Sequence, residues 1–177
     1  MRHYIILYFL ILSFSNNFSQ EATLQETKNW IQEKIEIYPY SNLTDNTVFL
    51  SEKKFTVSFD KFNMIIYKES KNITLDVTQF EEAFIPLKNL MEITFEKHNT
   101  AYWLIFRIRN NSNEIKVTKF PSSVKSKMIG NEEINFVSKY LLVFSNSIDD
   151  NNLRPRIVKA FKHLVKFYGG KTVEEKF

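Results

Sequence analysis

The sequence predicts an α+β domain: an N-terminal helix, about seven antiparallel strands forming a curled sheet or partly open barrel, and a C-terminal capping helix. Three patterns support this fold class. A helical period opens the chain after residue 20, a period of two follows from about residue 47 to 145, and a wide apolar helical arc covers residues 157–168. A sheet with one apolar face must bury it by curling into a barrel or into a two-sheet sandwich, whose open end an amphipathic helix can close.

The first twenty residues, MRHYIILYFLILSFSNNFSQ, have the features of a secretory signal peptide. Arg2 supplies positive charge, and the apolar run that ends near Leu12 is too short to span a bilayer, which takes about 20 residues. Cleavage after Ser15 or after Ser19 satisfies the small-residue rule. We favour Ser19, because the first helix signal begins just beyond it. The sequence therefore predicts a signal peptide over residues 1–19, one domain over 20–177, and an exported protein, periplasmic or secreted.

Composition excludes several classes of protein. The chain has no cysteine, which rules out disulfides, thiol catalysis and an acylated lipoprotein. Loss of Arg2 leaves 23 of the 24 basic residues against 20 acidic ones, a net charge of about +3. This charge is well below that of a nucleic-acid-binding stripe, so no nucleic-acid partner is expected.

The first helix is predicted to begin at a capping box, Thr23 to Glu26, and to run to about Ile37. Pro39 ends it. Its apolar stripe consists of Leu24, Ile31 and Ile35, with Trp30 at the flank. Because the stripe is narrow, we expect this helix to lie across a larger element.

Alternating apolar and polar residues predict the strands. The apolar positions are Phe55, Val57 and Phe59; Ile73, Leu75 and Val77; Met91, Ile93 and Phe95; Tyr102, Leu104, Phe106 and Ile108; and Ile115 and Val117. The runs NMIIYKE and KYLLVFS fit the same scheme. Residues 60–61, 70–72, 98–100 and 110–113 are expected to be hairpin turns. Longer connections are predicted over residues 79–89 and 121–135.

The C-terminal helix is predicted within RPRIVKAFKHLVKFYGG. Ile157, Phe161 and Leu164 lie at the centre of its apolar face. Pro155 is acceptable in the first turn, and Gly169 and Gly170 provide a left-handed C-cap.

Strands followed by one C-terminal helix resemble the pleckstrin-homology-like superfold, over the stretch from KKFTVSFDKFNMIIYK to RIVKAFKHLVKFYGG, about two-thirds of the chain. The tryptophan which that family carries in this helix is absent, and Phe161 is the nearest aromatic equivalent. The resemblance implies a scaffold and no particular ligand. A lipocalin-like barrel is the alternative, and it would imply an internal cavity for a small apolar ligand.

Two candidate interaction surfaces emerge. Trp103, Arg107 and Arg109 form an aromatic–arginine patch of the kind that anchors protein partners, although we favour packing beneath the first helix or a loop as its explanation. Lys159, Lys162, His163 and Lys166 form a basic helix face. It suits an anionic membrane or a partner groove, but we favour the solvated face of a domain helix.

No catalytic site, cofactor site or metal site is predicted. His98 and His163 lie far apart in the sequence, with no set of acidic or histidine neighbours at ligand spacing. The pairs Glu81–Glu82 and Glu132–Glu133 are interpreted as solvated charge rather than as a catalytic carboxylate pair. The sequence therefore predicts an exported, non-enzymatic binding or structural domain. A protein partner of unknown identity is compatible with this prediction. The alternative is a lipocalin-like carrier of a small apolar ligand in the barrel interior.

Overall fold

The structure is a computed structural model that describes residues 23–42, 51–99, 101–124 and 127–173. The predicted signal peptide lies outside these residues. Helix α1 occupies residues 23–37 and helix α2 is Leu153–Phe167. The strands are β1 (Ser41–Asn42), β2 (Ser51–Phe59), β3 (Asn63–Asn72), β4 (Val77–Pro86), β5 (Leu90–His98), β6 (Ala101–Ile108), β7 (Ile115–Lys119), β8 (Ser122–Val124), β9 (Lys127–Ile129), β10 (Glu133–Val137) and β11 (Lys139–Ser145).

The described strands form two antiparallel sheets. The larger has eight strands, with the order β1-β2-β3-β4-β7-β10 and with β8 and β9 attached beyond β4. The smaller has the order β11-β6-β5. The chain crosses between the sheets at Ser138, the single residue between β10 and β11. It also crosses between β4 and β5, between β6 and β7, and at residues 38–42, where Pro39 bridges to Phe144 before β1 pairs with β2.

The predicted α+β order, with a helix at each end of antiparallel strands, is confirmed. The strand number is not, because the described residues contain eleven strands and not about seven. The described strands do not close into a barrel, since β5 and β10 end their sheets without pairing with each other. Two facing sheets enclose the core instead, and Phe55 of β2 meets Phe144 of β11 with ring centroids 5.6 Å apart.

The predicted strand around Ile73 and Leu75 is wrong. Residues 73–76 form the turn between β3 and β4, in which the Asn72 side chain accepts a hydrogen bond from the Leu75 amide at 2.9 Å and Asp76 has φ 49°. These local bonds stabilise a turn in spite of the apolar alternation. The predicted turn at residues 70–72 is instead the end of β3.

Both predicted long connections contain strands. Residues 79–89 belong mostly to β4, which pairs with β3 over its whole length, from Asn63↔Pro86 to Asn72↔Val77. Residues 121–135 contain the β8–β9 hairpin and the start of β10. Both segments contain many polar side chains, so their apolar pattern does not indicate a strand. Pairing with neighbouring strands stabilises them as sheet.

Both helices contribute to one core. Ile31 and Ile35 of α1 and Ile157, Phe161 and Leu164 of α2 are fully buried. Phe161 meets Phe106 of β6 edge to face, with ring centroids 5.1 Å apart. Helix α2 packs against β5 and the turn that precedes it.

Two edges of the sheets each receive one hydrogen bond from another segment of the chain. The Glu36 carboxylate of α1 accepts a hydrogen bond from the Val57 amide on the edge of β2 at 2.8 Å. On β5, the Met91 carbonyl accepts a hydrogen bond from the Val173 amide of the C-terminal segment at 2.9 Å. These contacts satisfy backbone groups that an open edge would leave exposed.

Candidate functional site

The predicted aromatic–arginine patch is occupied by contacts within the chain. Trp103 stacks on His98 with ring centroids 3.6 Å apart, and the Arg107 guanidinium donates to the Glu92 carboxylate at 2.8 Å. Trp103 and Arg107 share the outer face of the smaller sheet. Arg109 lies in the turn after β6 and donates to the Lys171 carbonyl at 3.0 Å. The structure thus brings two of the three predicted residues onto one face.

The predicted basic face of α2 is partly occupied by α1. The Arg156 guanidinium lies 5.4 Å from the Trp30 ring centroid, and His163 Nδ1 lies 3.3 Å from the Thr27 hydroxyl. Lys159 and His163 line the groove between the helices. Lys159, His163 and Lys166 are exposed, and Lys162 is half-buried. Part of this arc therefore packs against α1, whereas the sequence predicts a solvated face for all of it.

A more concentrated set of charges lies on the inner face of the larger sheet. Lys68 of β3 is opposite Glu81 of β4, Glu81 is opposite Lys119 of β7, and Lys119 is opposite Glu133 of β10. We call these four residues the charged row. Opposite charges directly across neighbouring strands attract each other. The row gives alternating charge across four consecutive strands.

The charged row lies beside the core. One step along the same strands, Ile66, Ala83 and Val117 occupy the same face and are buried. On β3, β4 and β7, the inner face thus changes from buried apolar to charged between one inward side chain and the next. Beyond this boundary it opens into a cleft of about 370 Å³, lined by all four residues of the row together with Ser70, Gln79 and Ile129. We call this the charged cleft.

Tyr140 of β11 joins the smaller sheet to the charged row. Its hydroxyl donates to Glu81 Oε1 at 2.9 Å, and the Lys68 ammonium lies 2.5 Å from the same oxygen. The side chains of Lys68 and Glu81 are 23% and 16% exposed, so this ion pair is largely removed from water. Burial raises the pKa of the Tyr140 phenol well above its usual value, and the charge and hydrogen bond of Glu81 raise it further.

Lys53 adds a second half-buried cation near Glu81. It lies on β2, on the same face as buried Phe55 and Val57, and its ammonium is 5.8 Å from the Tyr40 ring centroid. Burial and the charge of Lys68 lower the pKa of Lys53, and Glu81 opposes this change only in part. Two partly buried lysines, Lys53 and Lys68, therefore interact with the single carboxylate of Glu81.

The sequence carries a signal for this cleft that apolar patterning overlooks. On each of the strands β2, β3, β4 and β7, apolar residues alternate with others, and the position that would continue the apolar series holds a charged residue. These positions are Lys53 next to Phe55 and Val57, Lys68 next to Met64 and Ile66, Glu81 next to Ala83 and Ile85, and Lys119 next to Ile115 and Val117. Because side chains alternate with period two, these charges belong on the inner face. The interpretation of Glu81 as solvated surface charge was wrong for this reason.

The arrangement suits ligand binding by charge. Two lysines (Lys68 and Lys119) and two glutamates (Glu81 and Glu133) line the charged cleft, so their charges balance. Lys53, on the neighbouring strand β2, interacts with Lys68 and Glu81 and adds one positive charge beside the cleft. In the part of the chain that the structure describes, no group of three or more His, Asp or Glu side chains is placed to hold a metal ion. Neither described helix has the length and continuous apolar sequence needed to cross a membrane.

Comparison with protein families, with curated proteins and with solved structures finds no match to this chain. The resemblance to the pleckstrin-homology-like superfold therefore stays a prediction.

Proposed function

We propose that this protein is an exported, non-enzymatic binding domain whose charged cleft takes a small polar ligand bearing a carboxylate. The charged row, placed at the border between the core and an open cleft, is the observation that carries the proposal. Half-buried charges such as those of Lys68 and Glu81 are costly unless they are compensated, so their place in a cleft marks a candidate functional site, while Lys119 and Glu133 in the same row are exposed.

The excess of lysine favours a ligand with negative charge. Lys68 is paired with Glu81, whereas Lys53 has a lowered pKa because it is partly buried beside a second cation. A ligand carboxylate bound at Lys119 in the cleft would supply the missing negative charge in a partly desolvated site, where attraction to Lys119 and to the more distant Lys53 is stronger than in water. Glu81 and Glu133 would favour a ligand that also carries hydrogen-bond donors.

The space between the sheets favours this proposal over a carrier with an internal apolar cavity. Phe106, Phe144 and Phe161 are fully buried there and are packed among fully buried Ile, Leu and Met side chains. A ligand inside the core would have to displace these residues. The charged cleft lies outside them and is already open.

Glutarate and 1,5-diaminopentane are matched probes for the test, because they have the same chain length and opposite charge. We expect glutarate, at constant ionic strength, to shift the amide NMR signals of β3, β4 and β7 around the charged row, and the diamine to leave them in place. Lys119→Gln should weaken glutarate binding about tenfold. Lys116→Gln is the control on the same strand, since Lys116 faces the outer side of the sheet.

Proton uptake offers a second measurement. A bound carboxylate should raise the pKa of Lys53 toward its ordinary value, so the protein should take up protons on binding at pH values between the lowered pKa and about 10.5. Calorimetry in two buffers of different ionisation enthalpy measures this uptake. Equal responses to both probes, or equal losses in the Lys119 and Lys116 variants, would contradict the proposal.

A further inference from the structure

Strand β10 ends the larger sheet with an edge that the described residues leave uncovered. Within these residues β10 pairs with β7 alone, from Glu133↔Lys119 to Val137↔Ile115. The edges of β2 and β5 each receive one hydrogen bond from another segment, at Val57 and at Met91. Among the described residues, the free edge of β10 receives no such hydrogen bond. An uncovered edge presents a row of backbone donors and acceptors to another strand.

The side chains of β10 are apolar on one face and exposed. Ile134 is 51% exposed and Phe136 is 58% exposed, and both point to the outer face of the larger sheet. Neither proline nor lysine occurs within Glu133–Val137, so two of the residues that commonly prevent edge pairing are absent from this strand. Glu133 is charged, but it lies opposite Lys119 of its own chain.

We propose that β10 pairs antiparallel with β10 of a second copy of this chain, about a two-fold axis at Asn135. Asn135 is the middle residue of the strand, so this register pairs all five residues of one copy with all five of the other. It places Ile134 of each copy opposite Phe136 of the other, which gives two Ile–Phe pairs. Such a two-fold contact uses the same surface on both subunits and closes on itself.

Charge and apolar pairing favour this register over two alternatives. With the axis at Asn135, each Glu133 lies opposite Val137 of the second copy. The two Glu133 carboxylates are then at opposite ends of the pairing, about 13 Å apart, which exceeds the screening length of about 8 Å at physiological salt. A shift of the axis to Glu133 would place the two carboxylates directly opposite each other. A shift to Phe136 would place Ile134 opposite Ser138 and lose both Ile–Phe pairs.

The dimer would extend the larger sheet across the axis and shield Ile134 and Phe136 from water. Only five residues per chain take part, so the interface is smaller than that of a permanent dimer, and the association should be weak and concentration-dependent. The charged cleft lies on the inner face and the apolar pairs on the outer face, so failure of either proposal leaves the other intact.

Cysteine cross-linking tests the register directly, because the chain contains no cysteine of its own. Residues directly opposite in an antiparallel pair have Cβ atoms about 4.5–5.5 Å apart, whereas diagonal neighbours are about 7–8 Å apart. Asn135→Cys should therefore form a disulfide dimer on mild oxidation, since the two introduced thiols meet at the axis. Phe136→Cys alone should not, whereas a mixture of Ile134→Cys and Phe136→Cys chains should form a mixed disulfide.

Sedimentation of the unmodified chain measures the association itself. We expect the average mass to rise with concentration up to about 1 mM, and Phe136→Lys to abolish the rise. Phe62→Lys is the matched control, since Phe62 is also 58% exposed but lies in the β2–β3 turn. A monomer at every concentration would overturn the proposal. So would a dimer that survives Phe136→Lys, or a Phe136→Cys chain that cross-links with itself more readily than the Asn135→Cys chain does.

Discussion

At the scale of single residues, the end of α2 shows what two adjacent glycines do. The Gly169 amide donates to the Lys166 carbonyl at 3.0 Å and the Gly170 amide donates to the Val165 carbonyl at 2.9 Å, which is the Schellman pattern. Gly169 has φ 74° and open space around its Cα, whereas a Cβ on Gly170 would lie 2.6 Å from the Lys88 carbonyl oxygen. The first glycine is needed for its backbone conformation and the second for close packing.

These roles predict two different losses of stability. Gly169→Ala should lower the free energy of unfolding by about 1 kcal/mol, because alanine is strained in the left-handed region. Gly170→Ala should cost more, about 1–3 kcal/mol, because backbone atoms must move to admit the methyl group. Urea denaturation of both variants measures the difference. Equal costs would contradict the separate roles, and Gly169→Asn, which tolerates this conformation better, should lose less than Gly169→Ala.

At the scale of elements, α2 combines a fully buried face with an exposed one. Phe161 is fully buried against Phe106, whereas Phe167 on the same helix is 37% exposed. The basic arc of the helix is shared between α1 and solvent. The predicted apolar arc therefore identified the face of the helix that packs into the core. The basic residues alone did not show which of them contact α1.

The buried face of α2 should dominate the stability that this helix provides. Phe161→Ala should lower the free energy of unfolding by about 3–5 kcal/mol, since it leaves a cavity within the core. Phe167→Ala, the control on the same helix, should cost well under half as much because its ring is partly in water. Thermal or urea unfolding of the two variants provides the comparison, and equal midpoints would contradict the assignment of Phe161 to the core.

Prediction from sequence succeeded for elements whose polarity follows one period. Both helices were predicted because their apolar residues recur at helical spacing. Strand β4 was missed because Glu81 and Glu82 interrupt its apolar pattern, and the turn at residues 73–76 was missed because Ile73 and Leu75 imitate a strand. In both cases backbone and side-chain hydrogen bonds determine the local structure, and these bonds cannot be inferred from the spacing of apolar residues.

At the scale of the whole molecule, the Tyr140–Glu81 hydrogen bond joins the two sheets beside the charged cleft. It couples the stability of the fold to the protonation of a group at the candidate site. The pKa of Tyr140 is raised in the folded protein, so between about pH 10 and that higher value the folded state binds more protons than the unfolded state. Its contribution is therefore complete below about pH 10 and is lost as the pH rises above it.

Tyr140→Phe should remove this contribution. Below about pH 10 we expect a loss of about 1–3 kcal/mol, because Glu81 loses a hydrogen bond in a largely buried place. The difference from the unchanged protein should shrink as the pH rises further. Lys53 acts in the opposite direction, since its lowered pKa makes stability rise with pH below about 10.5, so the comparison with Tyr140→Phe is needed to isolate the tyrosine. Urea unfolding from about pH 8 to 11 spans the ordinary pKa values of tyrosine and lysine, and a pH-independent difference would contradict the role of Tyr140.

By itself the sequence determined the α+β class, the two helices and the inward phase of most strands, because these depend on the local spacing of apolar residues. Only the tertiary structure decided that eleven described strands divide into two sheets, that Lys68, Glu81, Lys119 and Glu133 form one row, and that Tyr140 reaches Glu81 from the opposite sheet. Strand order and register depend on hydrogen bonds between residues far apart in the chain. A charge that looks solvated in the sequence can for that reason become part of a buried network at the candidate site.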